Sequence, residues 1–203
     1  MIGRILVGIV SPVTWLFFIY ILMTYLIHPE GIWLKLPHLS DDIWERLPMF
    51  IHFIGGSIIS VVGTFQLTNY FWKTRIHPYT GILYVNGVIL ASSGGLIYIL
   101  VNGTIGGLCM DVAFATNGII LFIYAMITAY FAVKRQTDRH LRWAIRLYVL
   151  GTSSAFYRVL YYVTCFIMNC RYVNFRGPLD HVYDWIYFLI PMAISEIYLL
   201  IRK

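Results

Sequence analysis

Three histidines are the residues of this sequence best suited to hold a cofactor. His52 lies within a long apolar stretch and is followed by Gly55-Gly56, while His77 and His140 each stand beside the start of another apolar stretch. Imidazole is a common axial ligand of haem iron, and neighbouring glycines leave room for the face of a porphyrin. Because bis-histidine haem b needs two histidines at one depth on different helices, His77 and His140 are the candidate ligands.

Charged residues inside the apolar stretches form a second set. A charge within hydrocarbon is costly, so each of these residues needs a partner or a task. Arg146 and Glu196 lie at one depth, and we expect them to pair. Asp111 and Arg158 share another depth with His52, and we expect Arg158 to bind Asp111 or backbone carbonyls. The sequence therefore predicts Asp111 and Glu196 as buried charges.

The patterns of common enzymes are missing from the sequence. It contains no G-x-S-x-G, H-E-x-x-H, P-loop or dinucleotide-binding pattern, so an enzyme is not indicated. Its three cysteines, Cys109, Cys165 and Cys170, form no C-x-x-C pair, and their spacing predicts neither a zinc nor an iron–sulfur site. The formal charge is +6, but the basic residues lie mainly in loops beside apolar stretches. This is the pattern of membrane topology, and no nucleic-acid partner is expected.

The composition is that of a protein embedded in lipid. Of the 203 residues, 60% are apolar and 12% are charged, whereas about a quarter of the residues of a soluble domain are charged. A helix needs about 20 apolar residues to cross the hydrocarbon layer. We predict one all-α membrane domain, residues 1–203, with six transmembrane helices at residues 5–27, 47–71, 79–101, 107–133, 141–168 and 182–201.

Basic residues and glycines predict how these helices are arranged. Nine lysines and arginines fall on one side of the membrane and four on the other, so the positive-inside rule places both termini on the inner side. Residues 28–46 form the longest outer loop, in which residues 40–46 are predicted as a short helix capped by Ser40. Small residues let membrane helices approach closely. Glycines are concentrated in the second to fourth segments, and we predict a core of the second to fifth segments with the first and sixth at the periphery.

Several short patterns follow one another between residues 47 and 162. Together they resemble the domain of unknown function 2306 family, which comprises predicted multi-spanning membrane proteins. The resemblance implies a helical membrane fold and gives no activity. It marks His52, His77, His140, Arg146, Tyr148 and Arg158 as family motif positions that are candidates for ligand binding. The patterns are Leu47-Pro48, His52, Gly55-Gly56, Gly63-x-Phe65-Gln66, Arg75-x-His77-Pro78-x-x-Gly81-x-x-Tyr84, Gly94-Gly95, Ala129-Tyr130, Asp138-x-His140-x-x-Trp143-x-x-Arg146-x-Tyr148 and Arg158.

Three functional classes follow from the sequence. The first is a binding protein, or a structural and accessory subunit of a larger membrane assembly, and it is favoured because no catalytic pattern is present. The second is an electron carrier that binds haem b through two of His52, His77 and His140. The third is a small proton-linked transporter that uses the charges within the helices. In each case lipid is the expected surrounding, in a bacterial plasma membrane or a mitochondrial inner membrane.

Overall fold

Helices make up the regular structure of the described part of the chain. A computed structural model describes residues 42–66, 74–167 and 177–201, together with Trp15, Leu16, Phe18, Ile19 and Met23. No strand occurs among these residues, which confirms the all-α class. Apart from the five residues named, the predicted first helix lies outside the described residues. The helices are α1 (Ile43–Gln66), α2 (Ile76–Asn102), α3 (Leu108–Val133), α4 (Thr137–Gly151), α5 (Ser153–Ile167) and α6 (Pro178–Ile201).

Four of these helices, α1, α2, α3 and α6, are each long and apolar enough to cross a membrane. Large apolar side chains also cover much of their outward surface. Leu100 is 85% exposed and Val133 is 81% exposed. Soluble proteins rarely expose large apolar patches, whereas lipid accepts such a surface as long as the backbone polar groups are bonded within helices. The protein is therefore a helical membrane protein.

The predicted fifth segment consists of two helices of 15 residues each, α4 and α5. Thr152 alone separates them. Its N–H still donates to the carbonyl of Tyr148 at 3.1 Å, while its hydroxyl donates to the carbonyl of Val149 at 2.9 Å. Serine and threonine side chains that bond back to the preceding turn bend helices. The break therefore follows from the polar run Gly151-Thr152-Ser153-Ser154.

The start of α1 differs from both predictions made for it. The helix begins at Ile43 and continues through Pro48, so residues 43–46 belong to it and form no separate short helix. Asp42 is the N-cap, because its Oδ1 accepts from the N–H of Trp44 at 3.0 Å. Pro48 removes a backbone donor from the helix. In the same part of α1, the side-chain amide of Asn102, the last residue of α2, donates to the carbonyl of Glu45 at 3.1 Å.

Other helices also begin earlier than the predicted segments. Helix α2 begins at residue 76 instead of 79, α4 at 137 instead of 141, and α6 at 178 instead of 182. Apolar content marks only the length that lies in hydrocarbon, and a helix can continue into the headgroup layer. Helix α3 agrees with its predicted segment to within one residue.

Glycines bring α1 and α2 into close contact. A Cβ atom added at Gly55 would lie 2.5 Å from the carbonyl oxygen of Gly87 and 2.8 Å from the Cα of Ala91. A Cβ added at Gly94 would lie 2.6 Å from the carbonyl oxygen of Pro48. Side chains larger than hydrogen do not fit at either position, so the backbones of the two helices touch. Gly55 therefore serves helix packing and leaves no room for a porphyrin.

A short loop joins α2 to α3, and two glycines shape it. Gly103 and Gly107 have φ angles of 68° and 73°, a region that favours glycine. The N–H of Gly103 donates to the carbonyl of Ile99 at 2.9 Å and ends α2. Helices α2 and α3 consequently pack against each other.

The prediction that the sixth segment is peripheral was wrong. Helix α6 packs against α3, α4 and α5. Its Tyr187 and Phe188 are fully buried, and Tyr187 stacks at 4.9 Å from Phe114 and 5.3 Å from Tyr157, measured between ring centroids. Large aromatic rings fill the space between α6 and its neighbours without glycine. The number of glycines in a segment therefore predicts how closely its backbone approaches a neighbouring helix. It does not predict which helices lie in the centre of the bundle.

Candidate functional site

His52 is held in one tautomer at the contact between α1 and α2. Its Nδ1 lies 2.7 Å from the carbonyl oxygen of Ala91. Because a carbonyl only accepts hydrogen bonds, Nδ1 carries the proton, and the neutral ring keeps Nε2 as an acceptor. A Cβ added at Gly95 would lie 2.9 Å from Nδ1. Gly95 thus makes the space that the imidazole occupies.

A cavity of about 260 Å³ lies beside His52 in the middle of the bundle. Side chains from α1, α2, α3, α5 and α6 line it, as does the end of α4. Most of the lining is apolar, including Met110, Phe114 and Leu121. Gly56 also lines it, and nothing lies within 4 Å of a Cβ added there. The adjacent glycines of α1 therefore have different roles. Gly55 packs against α2, and Gly56 faces the empty space of the cavity.

Two polar groups in the lining make no hydrogen bond of normal geometry among the described residues, although their side chains lie close enough to interact with each other. They are Oδ1 of Asn117 and the hydroxyl of Tyr187, and both atoms are buried. A buried polar atom without a partner costs about 1–3 kcal/mol. Such atoms in a cavity are the groups that a bound molecule would satisfy.

Arg158 brings a positive charge to the same cavity. Its Nη1 donates to the carbonyl of Ser154, one turn earlier, at 3.0 Å. This agrees with the expectation that Arg158 would bind backbone carbonyls. Arg158 and His52 both line the cavity and lie within electrostatic range of each other. The site therefore combines a cation, amide and hydroxyl groups and an imidazole acceptor with apolar walls.

A family model described as "Predicted membrane protein (DUF2306)" matches residues 49–199 of this sequence. The chain belongs to this family. The match includes every residue of the cavity lining and confirms the resemblance inferred from the short sequence patterns. No curated protein and no solved structure matches the chain. The family description names no activity, so the function rests on the geometry of the chain itself.

His77 and His140, which share a depth in the sequence, come together where α2 and α4 begin. Their ring centroids are 6.4 Å apart and the rings are nearly perpendicular, at 82°. Nδ1 of His140 lies 3.0 Å from the carbonyl oxygen of Thr128. Nδ1 of His77 is buried and has no hydrogen-bond partner within the described ranges. His52 is not part of this pair, because it lines the cavity and contacts α2 at Ala91, about four turns along the helix from His77.

Arg146 and Glu196 form the expected pair. Nε of Arg146 donates to Oε1 of Glu196 at 2.5 Å, and Nη2 donates to Oε2 at 2.7 Å. The guanidinium also lies 4.8 Å from the ring centroid of Trp143. Glu196 was predicted as a buried charge, but 48% of its side chain is exposed. It lies on the outer surface of α6, where the long arginine side chain reaches it.

Asp111 and Tyr148 have structural contacts. Oδ1 of Asp111 accepts from the N–H of Thr104 at 2.6 Å and so holds the loop between α2 and α3. Asp111 is half-buried rather than buried. The buried ring of Tyr148 packs at Gly63 of α1, where an added Cβ would lie 3.1 Å from it. Tyr84, another residue of the family patterns, packs against the same glycine.

Sequence reasoning missed Asn117, Tyr187 and Asp184. Asn117 and Asp184 are polar residues within the predicted fourth and sixth segments, and this signal alone marks a residue as functional in a membrane helix. Asp184 is 1% exposed and is the buried charge that Glu196 was expected to be. For Tyr187 no signal existed, because tyrosine is frequent throughout this chain.

Proposed function

We propose that the protein binds a small amphiphilic molecule in the cavity between its helices. The observation that supports this is the pair of unpartnered buried atoms, Asn117 Oδ1 and the Tyr187 hydroxyl, in a cavity that Arg158 also lines. Arg158 and Tyr187 donate hydrogen bonds, whereas Oδ1 of Asn117 accepts one, so the head group of the ligand carries both an acceptor oxygen and a hydroxyl donor. Its apolar part lies against Phe114 and Leu121.

The size of the cavity limits the ligand. Pockets for drug-sized molecules have volumes of about 300–1,000 Å³, and the cavity here has about 260 Å³. The cavity therefore encloses one ring or a short chain, and a longer tail extends into the surrounding lipid. The ring of a quinol and the protonated carboxyl end of a fatty acid both meet these conditions.

A matched pair of substitutions tests the proposal. Tyr187→Phe and Tyr84→Phe each remove one buried hydroxyl that has no hydrogen-bond partner in the described part of the chain, but only Tyr187 lines the cavity. Binding of decylubiquinol and of decanoic acid to the purified full chain is measured by quenching of tryptophan fluorescence and by native mass spectrometry. One hydrogen bond contributes about 1 kcal/mol, so Tyr187→Phe should weaken binding of the preferred probe roughly fivefold.

Tyr84→Phe should bind the same probe as the unsubstituted chain does. Equal affinity of both variants and the unsubstituted chain would contradict the assignment of the site. Failure of both probes to bind, in a protein that also carries no amphiphile after purification, would overturn the proposed function.

A second candidate function is haem binding at His77 and His140. His77 and His140 would hold the haem iron through their imidazoles, which are usual haem ligands. The support is that the two rings, from different helices, lie together with centroids 6.4 Å apart. The contact of His140 Nδ1 with Thr128 would orient that ring as a ligand. Haem b bound there predicts a Soret band that His140→Ala removes and His52→Ala retains; colourless protein from haem-replete cells would contradict it.

We also propose six membrane crossings with both termini inside. Support comes from the four long helices, from α4 and α5 as consecutive halves of one crossing, and from the exposed basic residues between α3 and α4. The inner side is the cytoplasm in a bacterium or the matrix in a mitochondrion. Labelling of single cysteines introduced at Lys134 and Leu179 tests this: only the second should react from outside. The accessory-subunit hypothesis stays a prediction, and isolation as a lone monomer in mild detergent would count against it.

A further inference from the structure

Three metal-ligating side chains converge where α3 and α6 begin. Cys109 is the second residue of α3, and His181 and Asp184 lie one turn apart at the start of α6. The Cys109 thiol sulfur, one ring nitrogen of His181 and one carboxylate oxygen of Asp184 all lie within 4.8 Å of one another. None of the three residues lines the cavity. This cluster is therefore a separate feature from the proposed ligand site.

The atoms of this cluster lack the partners that burial demands. Asp184 is 1% exposed, and neither its Oδ2 nor Nδ1 of His181 has a hydrogen-bond partner in the described part of the chain. These two atoms are 3.8 Å apart, which is too far for a hydrogen bond. The two groups form a long ion pair, and a buried carboxylate is favourable only when it is paired or coordinates a metal. A metal ion bound to both atoms would satisfy them more fully than this long contact does.

We propose that Cys109, His181 and Asp184 bind a zinc ion, with water or a further ligand in a fourth position. Sulfur, imidazole nitrogen and carboxylate oxygen are the ligand types of protein zinc sites, and three protein ligands with one open position are typical of sites that stay accessible. A thiolate and a carboxylate together neutralise the two charges of the ion. The Cys109 thiolate lies in the first turn of α3, where the positive helix end stabilises it.

The distances require only a small contraction on binding. Zinc bonds of about 2.0–2.2 Å to nitrogen and oxygen place these two ligand atoms roughly 3.3–3.6 Å apart in a tetrahedral site, so the His181–Asp184 gap of 3.8 Å has to contract by only a few tenths of an ångström. The widest separation, within 4.8 Å, closes by about 1 Å through side-chain rotation. Tyr157 donates to Oδ1 of Asp184 at 3.4 Å and orients the carboxylate from behind.

The test measures metal on the full chain purified in detergent. Metal bound during purification is first removed with a chelator and dialysis. Zinc is then added, and the bound zinc is quantified by inductively coupled plasma mass spectrometry. We expect about one zinc per chain, and at least a tenfold loss of affinity in Cys109→Ser and in His181→Ala. Cobalt added in place of zinc should give the visible bands of a tetrahedral site and the near-ultraviolet thiolate-to-cobalt band. Cys109→Ser should abolish the thiolate band.

Matched controls separate this site from other ligands of the chain. Asp180→Asn changes another carboxylate of α6, one turn before Asp184. The Asp180 carboxylate is bonded to Tyr161 and to the N–H of Gly177, so this variant should still bind the metal. His140→Ala removes a histidine elsewhere and should also keep it. A chain that binds no zinc above the Cys109→Ser background, or a cobalt complex without the thiolate band, would overturn the proposal. The cobalt spectrum is read on the unsubstituted chain, so it remains decisive if Cys109→Ser or His181→Ala fails to fold.

Discussion

Replacement of Gly55 by alanine should disrupt the contact between α1 and α2, whereas replacement of its neighbour Gly56 should not. The added methyl at residue 55 would lie 2.5 Å from the Gly87 carbonyl oxygen and 2.8 Å from the Cα of Ala91. Both are backbone atoms that cannot rotate away. Ordinary contacts are about 3.5–4.0 Å, so the two helices would have to separate by about 1 Å. At residue 56 nothing lies within 4 Å of the added methyl.

The comparison isolates the cost of this separation. Both substitutions exchange glycine for alanine inside the same helix, so the gain in helix propensity of about 1 kcal/mol is shared and cancels. Overpacking costs typically about 1–3 kcal/mol. We therefore expect the Gly55→Ala chain to be less stable than the Gly56→Ala chain by about 2 kcal/mol, which changes the unfolding equilibrium roughly thirtyfold. Gly56→Ala alone should be neutral or stabilising.

Stability is measured by unfolding the purified chain in mixed micelles with increasing sodium dodecyl sulfate, and the signal is tryptophan fluorescence from the six tryptophans. The free energies of unfolding of the two variants and of the unsubstituted chain are compared. Equal free energies for the two variants, within about 0.5 kcal/mol, would refute the close approach of α1 and α2 and the role assigned to Gly55.

Two further predictions use the same unfolding measurement. Glu196→Gln removes one charge of the pair with Arg146. The exposed 48% of the Glu196 side chain lies on a membrane-spanning helix, so Arg146 would lose its counter-charge beside lipid and the loss should exceed the roughly 1 kcal/mol of a pair in water. Exchange of the two residues in Arg146→Glu with Glu196→Arg should recover part of it, and a loss below about 1 kcal/mol would show that the pair lies in water. Asp42→Ala removes the cap of α1, which accepts from Trp44 at 3.0 Å, and should cost about 1 kcal/mol; Asp42→Asn keeps an acceptor and should cost less, so equal losses in both would contradict the capping role.

Apolar length predicts the helices of this chain well and their starts less well. Helix α3 was predicted to within one residue, whereas α4 begins four residues before its predicted segment. The polar residues of that first turn are outside hydrocarbon but still inside the helix. The interruption at Thr152 was also missed, because a single residue with helical φ and ψ of −89° and −4° does not change the apolar count.

The depth of each residue in the membrane, inferred from its position in an apolar segment, predicted two contacts of the site region. It did not predict the cavity. His77 with His140, and Arg146 with Glu196, share a depth and do meet. Depth places residues along one axis only. The cavity brings together Asn117 of α3 and Tyr187 of α6, and their meeting depends on how each helix is rotated about its own axis. Rotation is set by packing against neighbours, which no single segment encodes.

The sequence by itself determined the class of this protein, its family and the approximate extent of its membrane helices. These properties depend on local composition, because a bilayer of fixed thickness demands an apolar length and backbone bonds within each helix. Only the tertiary structure decided that Gly55 faces α2 while Gly56 faces the cavity, and that Cys109 meets His181 and Asp184. Such neighbours are far apart in sequence or differ by one residue on a helix, and interhelical packing alone determines which side chains come within bonding distance.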